Sequence, residues 1–207
     1  MNAPRTKICL TGGPSAGKTT IVDIIRREFS DSALAVPEVA SILYRGGFPR
    51  SSDPEVIMSA QRAIFHTQIE FERVFELRES PSLIICDRGT LDQTAYWPLG
   101  SDNFFESVGS SLQAEVLRYD RVIHLHTSVH GYNIINGVRT ENLTQALELD
   151  QRIYDAWKEH PRRIEVPSQL SFQEKIAMVF EEFSKLGLLQ FPRERRIHHE
   201  SPQPRPN

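Results

Sequence analysis

The segment Gly12-Gly13-Pro14-Ser15-Ala16-Gly17-Lys18-Thr19 constrains this chain more than any other feature. It fits a Gly-x4-Gly-Lys-Thr pattern at every fixed position. A short apolar run, Lys7 to Thr11, precedes it, and Ile21, Ile24, Ile25 and Phe29 follow at helical spacing. A buried strand, a glycine turn and a helix in that order make a phosphate cradle, because the backbone N–H groups of the turn and the helix N-terminus converge on one point. In such a P-loop Lys18 reaches the β- and γ-phosphates, the Thr19 hydroxyl ligates magnesium, and Thr20 offers a hydroxyl to an inner phosphate. Gly12, Gly13, Pro14, Ser15, Ala16, Gly17, Lys18, Thr19 and Thr20 are therefore the expected nucleotide-binding residues, with ATP or GTP and Mg2+ as ligands. The competing reading, an ordinary glycine turn, does not need the strand before it and the helix after it.

The remaining pattern alternates short apolar runs with helical periodicity. Leu34 to Val36, Leu83 to Cys86, Val122 to His126 and Ile164 to Val166 read as further strands. Helices are expected over Gly17–Phe29, Glu38–Tyr44, Asp53 to about Glu79, Phe104–Tyr119, Glu141–His160 and Phe172–Leu186. Such alternation builds a parallel sheet covered on both faces, and ligands of these sheets bind beyond the strands' carboxyl ends. Gly12, Glu38, Asp87 and Thr127 stand at those ends. One α/β domain over residues 1–191 is expected, followed by a disordered tail from 192 to 207 that is rich in proline, arginine and histidine.

Charge and composition narrow the partners. The net charge is −3, and the tail carries a surplus of two positive charges, which leaves the body near −5. A body of that sign has no general footprint for nucleic acid. Cys9 and Cys86 sit in apolar runs without metal-ligand spacing, as reduced core residues do. No apolar run approaches a membrane span, and residues 1–7 lack a signal peptide's apolar stretch, so a cytoplasmic location is expected.

Asp87 follows an apolar strand, where a magnesium-side carboxylate belongs in a P-loop enzyme; a helix N-cap is the alternative. Arg88 reads as a phosphate clamp or as half of a surface ion pair. Glu38, after Pro37, faces the same crevice and can take a proton from an acceptor hydroxyl, or it is an acidic residue favoured by a helix macrodipole. Gln61, Phe65, Gln68 and Glu72 form a stripe on the inward face of a helix. Gln61 is the candidate there for binding a polar substrate, with a backbone partner as the alternative. Arg139, in the stretch from Tyr132 to Glu141, suits a lid that stabilises charge, unless it pairs with Glu141. His124 and His126 point to one face of a strand, but no third metal ligand is evident near them.

Several of these pieces carry a resemblance. Thr11 to Thr20, Val36-Pro-Glu-Val-Ala40 and Cys86-Asp-Arg-Gly89 with Asp92, Ala95 and Tyr96 resemble an AAA-ATPase-like P-loop family. That family is related to the ribosylnicotinamide kinase domain of bacterial NAD regulators and to the nucleotide-binding domain of TRPL-translocation-defect proteins. Arg139-Thr-Glu141, with Tyr154 and Trp157 in the helix that follows, is similar to the lid of deoxynucleoside kinases. The resemblance spans roughly residues 6–187. It implies the P-loop NTPase fold with five parallel strands in the order 2-3-1-4-5, helices on both faces and a lid segment. It also implies that Glu38, Asp87 and Arg88 line a phosphoryl-acceptor site. Two departures concern the acceptor. Ser41 stands where ribosylnicotinamide kinases have an arginine, and Val138 precedes the single Arg139 where deoxynucleoside kinase lids usually have two arginines.

The expected function is a phosphotransferase that moves the γ-phosphate of ATP, or GTP, to a hydroxyl of a small nucleoside-like acceptor. Lys18, Glu38, Asp87, Arg88 and Arg139 are the expected catalytic residues, Glu38, Gln61 and Arg88 bind the acceptor, and Thr19 and Asp87 hold the metal. The alternative is a regulatory switch with slow hydrolysis and no acceptor. Against a Ras-like switch, the chain has no Asn-Lys-x-Asp element, and Thr90 stands where glycine would follow Asp87.

Overall fold

Side chains along the central strand alternate between two cores. Ile8 and Leu10 enter one with Ile21, Ile25, Val179 and Phe183, whereas Cys9 enters the other with Phe65, Phe104, Ile153 and Trp157. A strand buried on both sides in this way needs helices on both faces, and the period of two sorts every residue of the run. The computed structural model describes residues 5–78, 83–128 and 142–188.

The elements run β1 (Thr6–Gly12), α1 (Lys18–Glu28), β2 (Ala33–Val36), α2 (Val39–Arg45), α3 (Pro54–Glu76), β3 (Leu83–Asp87), a 3-10 helix (Thr90–Tyr96), α4 (Ser101–Val108), α5 (Leu112–Val116), β4 (Arg121–Leu125), α6 (Leu143–Ala156), β5 (Arg163–Val166) and α7 (Phe172–Lys185). The five strands are parallel in the order β2-β3-β1-β4-β5, as the resemblance implies. α1 and α7 cover one face, and α3, α4 and α6 the other. The fold is the P-loop NTPase fold.

Local signals explain the boundaries. Asp53 caps α3 by accepting from Glu55 N at 2.8 Å, with Pro54 at the first helical position. α6 and α7 each open on a capping box, Asn142 with Gln145 and Ser171 with Glu174. The single helix expected over Phe104–Tyr119 is a correction: the chain forms α4 and α5, separated at Gly109, which adopts φ 67, before Ser111 caps α5. A left-handed glycine followed by a serine cap ends one helix and starts another, and the apolar periodicity across both hides the break. Cys9 and Cys86 are buried free thiols. Among the described residues no helix is long and apolar enough to cross a membrane. The tail from 192 and the expected lid residue Arg139 lie outside the described residues.

Candidate nucleotide and acceptor site

The turn between β1 and α1 is shaped by what surrounds it. Gly12 has φ 130, and a Cβ there would lie 1.9 Å from the Leu125 carbonyl oxygen; a Cβ on Gly13 would lie 2.1 Å from the Thr127 hydroxyl and 2.6 Å from the Asp150 Cβ. The crowding that forces these glycines therefore comes from the protein itself as well as from a phosphate. Ser15 (φ 59) and Gly17 (φ 97) complete the left-handed steps that turn the loop into the helix. Lys18 is buried, and its ammonium donates to the carbonyls of Gly12 and Gly13 at 2.7 and 2.6 Å. Burial and the Arg88 charge lower it from 10.5 to about 8, against the pull of Asp87, Glu38 and Asp92. Thr19 and Thr20 stay exposed in the first turn of α1.

Asp87 ends β3 on the same face as Leu83 and Ile85, towards α1. It is 3% exposed, and its Oδ1 has no hydrogen-bond partner. Burial and then Glu38 push the carboxyl up to about 6, although Lys18 and Arg88 oppose the shift. An orphaned buried carboxylate oxygen on the α1 face, with the Thr19 hydroxyl free at the helix start, fits a magnesium site. The helix-cap reading of Asp87 fails, because Gly89 is the N-cap of the next helix.

Glu38 and Arg88 form the other wall. Arg88 Nε donates to Glu38 Oε1 at 2.7 Å, and Nη1 donates to Asp92 Oδ2 at 3.0 Å and to the Gly12 carbonyl at 3.3 Å. Arg88 holds φ 75, an uncommon backbone for a side chain of this size, and its N–H is tied to the Leu10 carbonyl at 3.0 Å. The Ser41 hydroxyl donates to Glu38 Oε2. Burial alone would raise the Glu38 carboxyl, but Arg88, Ser41 and Lys18 bring it down to about 2. Glu38 is the N-cap residue of α2, yet its side chain accepts no backbone N–H of that helix; its carboxylate is shared between Arg88 and the Ser41 hydroxyl.

Asp92 braces this wall from below. It is 1% exposed and also accepts from Thr11 Oγ1 at 2.7 Å and from Trp157 Nε1 at 2.7 Å. The α3 stripe is buried as expected. Gln68 Nε2 donates to Glu72 at 2.9 Å and to the Arg88 carbonyl at 3.4 Å, and Glu72 also accepts from Lys7 and Tyr119, so these two polar residues are satisfied by the protein. Gln61 is 5% exposed and makes no hydrogen bond among the described residues. Gln68 sits level with the end of β3, and Gln61 is two turns nearer the helix start, which carries it roughly 10 Å beyond the sheet edge. Its amide is suited to a ligand.

Sequence spacing missed Asp150. His124 Nε2 lies 3.0 Å from Asp150 Oδ1, and His126 Nδ1 lies 2.8 Å from Oδ2, so the two histidines do have a third polar group beside them. Asp150 comes from α6, 24 residues beyond His126, and sequence separation of that size carries no spacing signal. The apolar period of α6 was its one visible clue, since it puts Asp150 beside Leu149 and Ile153 on the inward face.

The sheet order and the loop geometry define the class, a P-loop nucleotide-binding protein. The chain belongs to the AAA domain family, which it matches over residues 7–175. No curated protein matches it significantly. Among solved structures it is similar to a deoxyadenosine kinase from M. mycoides with bound dATP, at 16% identity and TM-score 0.58, with 87% of this chain and 100% of that chain covered. The same kinase with the products dCMP and a flexible dCDP aligns at 16% identity and TM-score 0.60 over 87% and 100% of the two chains. At this identity the likeness is one of fold.

Proposed function

We propose that this protein is a small-molecule kinase that transfers the γ-phosphate of ATP, or GTP, to a hydroxyl of a nucleoside-like acceptor. The Glu38–Arg88 pair carries the proposal: a charged carboxylate and guanidinium stand beside the P-loop at the same sheet edge, where Arg88 reaches the Gly12 carbonyl, and the Gln61 amide has no hydrogen-bond partner among the described residues. A switch that only hydrolyses nucleotide has no need of that second wall. The deoxyadenosine kinase likeness supports a nucleoside-type acceptor, as does the resemblance of the motifs to ribosylnicotinamide kinase domains.

In this reading the P-loop amides and Lys18 hold the donor phosphates, and Lys18 leaves the Gly12 and Gly13 carbonyls to do so. Thr19 and Asp87 would hold the magnesium ion, which when bound neutralises charge on the phosphates. Glu38 is ionised at neutral pH and orients the acceptor hydroxyl. It takes the hydroxyl proton as the bond to phosphorus forms, which suits a weak base because the transition state is loose. Arg88 swings between Glu38 and the transferred group, and Arg139 from the lid adds a second positive charge. Gln61 pairs with the polar edge of the acceptor. The test is a screen of ATP and GTP turnover against nucleosides and other small alcohols. Transfer to one acceptor supports the kinase, and slow hydrolysis that no acceptor stimulates overturns it.

A further inference from the structure

Asp150 connects α6 to the P-loop. Its Oδ1 accepts from Gly13 N at 2.7 Å and faces His124 Nε2 at 3.0 Å; its Oδ2 accepts from Thr127 N at 3.2 Å and faces His126 Nδ1 at 2.8 Å. An ionised carboxylate has about four lone-pair sites and only accepts, so both facing imidazole nitrogens carry hydrogen. Its acceptor capacity is filled by N–H donors. Burial opposes the charge, but the hydrogen bonds of His124 and His126 hold the carboxyl well below the usual range.

The same three residues are the one group among the described residues with ligand atoms placed for a metal ion, all within 4.8 Å of one another. The geometry favours hydrogen bonding. Each histidine stands at N–H···O distance from its own carboxylate oxygen, and both oxygens are shared with a backbone amide. A set of N–H donors also avoids placing a divalent cation close to the Lys175 ammonium, which donates to the His126 carbonyl at 2.6 Å.

We infer that Asp150 is a positioning residue that fixes the entry of the P-loop through the Gly13 amide, with His124 and His126 as its orienting partners. On its Cβ side Gly13 is also walled in, because the Thr127 hydroxyl and Asp150 fill the space a side chain would take, and the Thr127 hydroxyl in turn donates to the Pro14 carbonyl at 3.0 Å. The inference rests on the P-loop being the nucleotide site. Since α6 begins at Leu143, directly after the segment that contains Arg139, the clamp also joins that segment's helix to the phosphate loop.

Asp150→Asn tests it. Asparagine has the same size but offers one oxygen, so at least one amide donor must face an NH2 group. Calorimetry with Mg-ATP and Mg-GTP is expected to show the better-bound nucleotide weakened tenfold or more. The Gly13 amide proton, the furthest downfield of the glycine amides in the wild type because it meets a charged carboxylate at short range, is expected to move upfield. Loss of packing alone would not move that one resonance. Wild-type affinity in Asp150→Asn, or an ordinary Gly13 shift in the wild type, would overturn the inference; the second readout needs no variant to fold. Stoichiometric metal retained by the wild type after dialysis and lost with Asp150 would overturn it in favour of a metal site. If Lys18→Ala also binds nucleotide as the wild type does, the P-loop assignment fails and the clamp with it.

Discussion

Arg88 Nε donates to Glu38 Oε1 at 2.7 Å, which links the residue after β3 to the N-cap of α2, two residues beyond β2. These strands are neighbours, and each side chain is more than two-thirds buried, so the pair is shielded from solvent enough to affect stability. The Glu38 carboxyl is depressed to about 2, from 4.5. For a depressed acid the unfolded state binds more protons between the two values, so the stabilisation is complete above about 4.5 and is lost as pH falls through about 2. Chemical denaturation of wild type and Glu38→Gln is expected to differ by on the order of 3 kcal/mol at pH 7 and by less than half of that near pH 3. A difference independent of pH would show that Glu38 stabilises through packing and not through its charge.

The same substitution separates the kinase from a switch. Glu38→Gln keeps the shape and one acceptor oxygen but removes the charge and the basicity. Transfer to an acceptor found in the screen is expected to fall by about 10²–10⁴, and Mg-ATP affinity to change little, because Glu38 hydrogen-bonds Arg88 and Ser41 and no group of the P-loop. Steady-state kinetics and calorimetry on one preparation measure both. Transfer preserved within a few fold would remove Glu38 as the proton acceptor and leave Asp87, whose carboxyl is raised to about 6, as the candidate.

Lys18→Ala is expected to weaken nucleotide binding tenfold or more, since a charged hydrogen bond contributes roughly 1.5–3 kcal/mol. The structure adds a condition. Lys18 is held by the Gly12 and Gly13 carbonyls before nucleotide arrives, so binding exchanges those bonds for phosphate contacts. Only the difference appears in the affinity, and the loss is expected near the low end of that range. Calorimetric binding equal to wild type would refute the phosphate role.

How much of this was legible in the sequence depends on the reach of each signal. The P-loop, Asp87, Arg88 and Glu38 were readable because each follows an apolar strand, and the parallel fold gathers strand ends at one edge. The buried stripe of α3 was readable from its period, and so was its tension between burial and polarity; that Gln68 and Glu72 are satisfied by Arg88, Lys7 and Tyr119 was not. Asp92 stood in the motif without a role, and its bonds to Thr11 and Trp157, at separations of 81 and 65 residues, needed the folded chain. Asp150 escaped for the same reason. The break at Gly109 was missed because a turn inside a continuing apolar pattern leaves the pattern intact.

Two glycines with positive φ separate steric necessity from backbone preference. Gly12 has φ 130, and an added Cβ would stand 1.9 Å from the Leu125 carbonyl oxygen and 2.8 Å from its carbon. Those atoms belong to β4, which is paired with β1 in register Gly12↔Leu125, so neither side can retreat without opening the ladder. Gly47 has φ 100 with nothing within 4 Å of the added Cβ. An alanine there suffers only the left-handed backbone penalty, about 1–2 kcal/mol. Gly12→Ala adds the clash to that penalty, and a cost of about 3 kcal/mol or more is expected. In a domain of this size thermal melting should fall by about 2–8 °C for Gly47→Ala, and by about 6–12 °C or more for Gly12→Ala. Nucleotide affinity should stay within twofold of wild type for Gly47→Ala and be lost for Gly12→Ala, because the displaced turn no longer aims its amides at one point. Equal melting losses for the two variants would show that β1 and β4 can part at the P-loop, and the rigid cradle drawn from their contact would have to be abandoned.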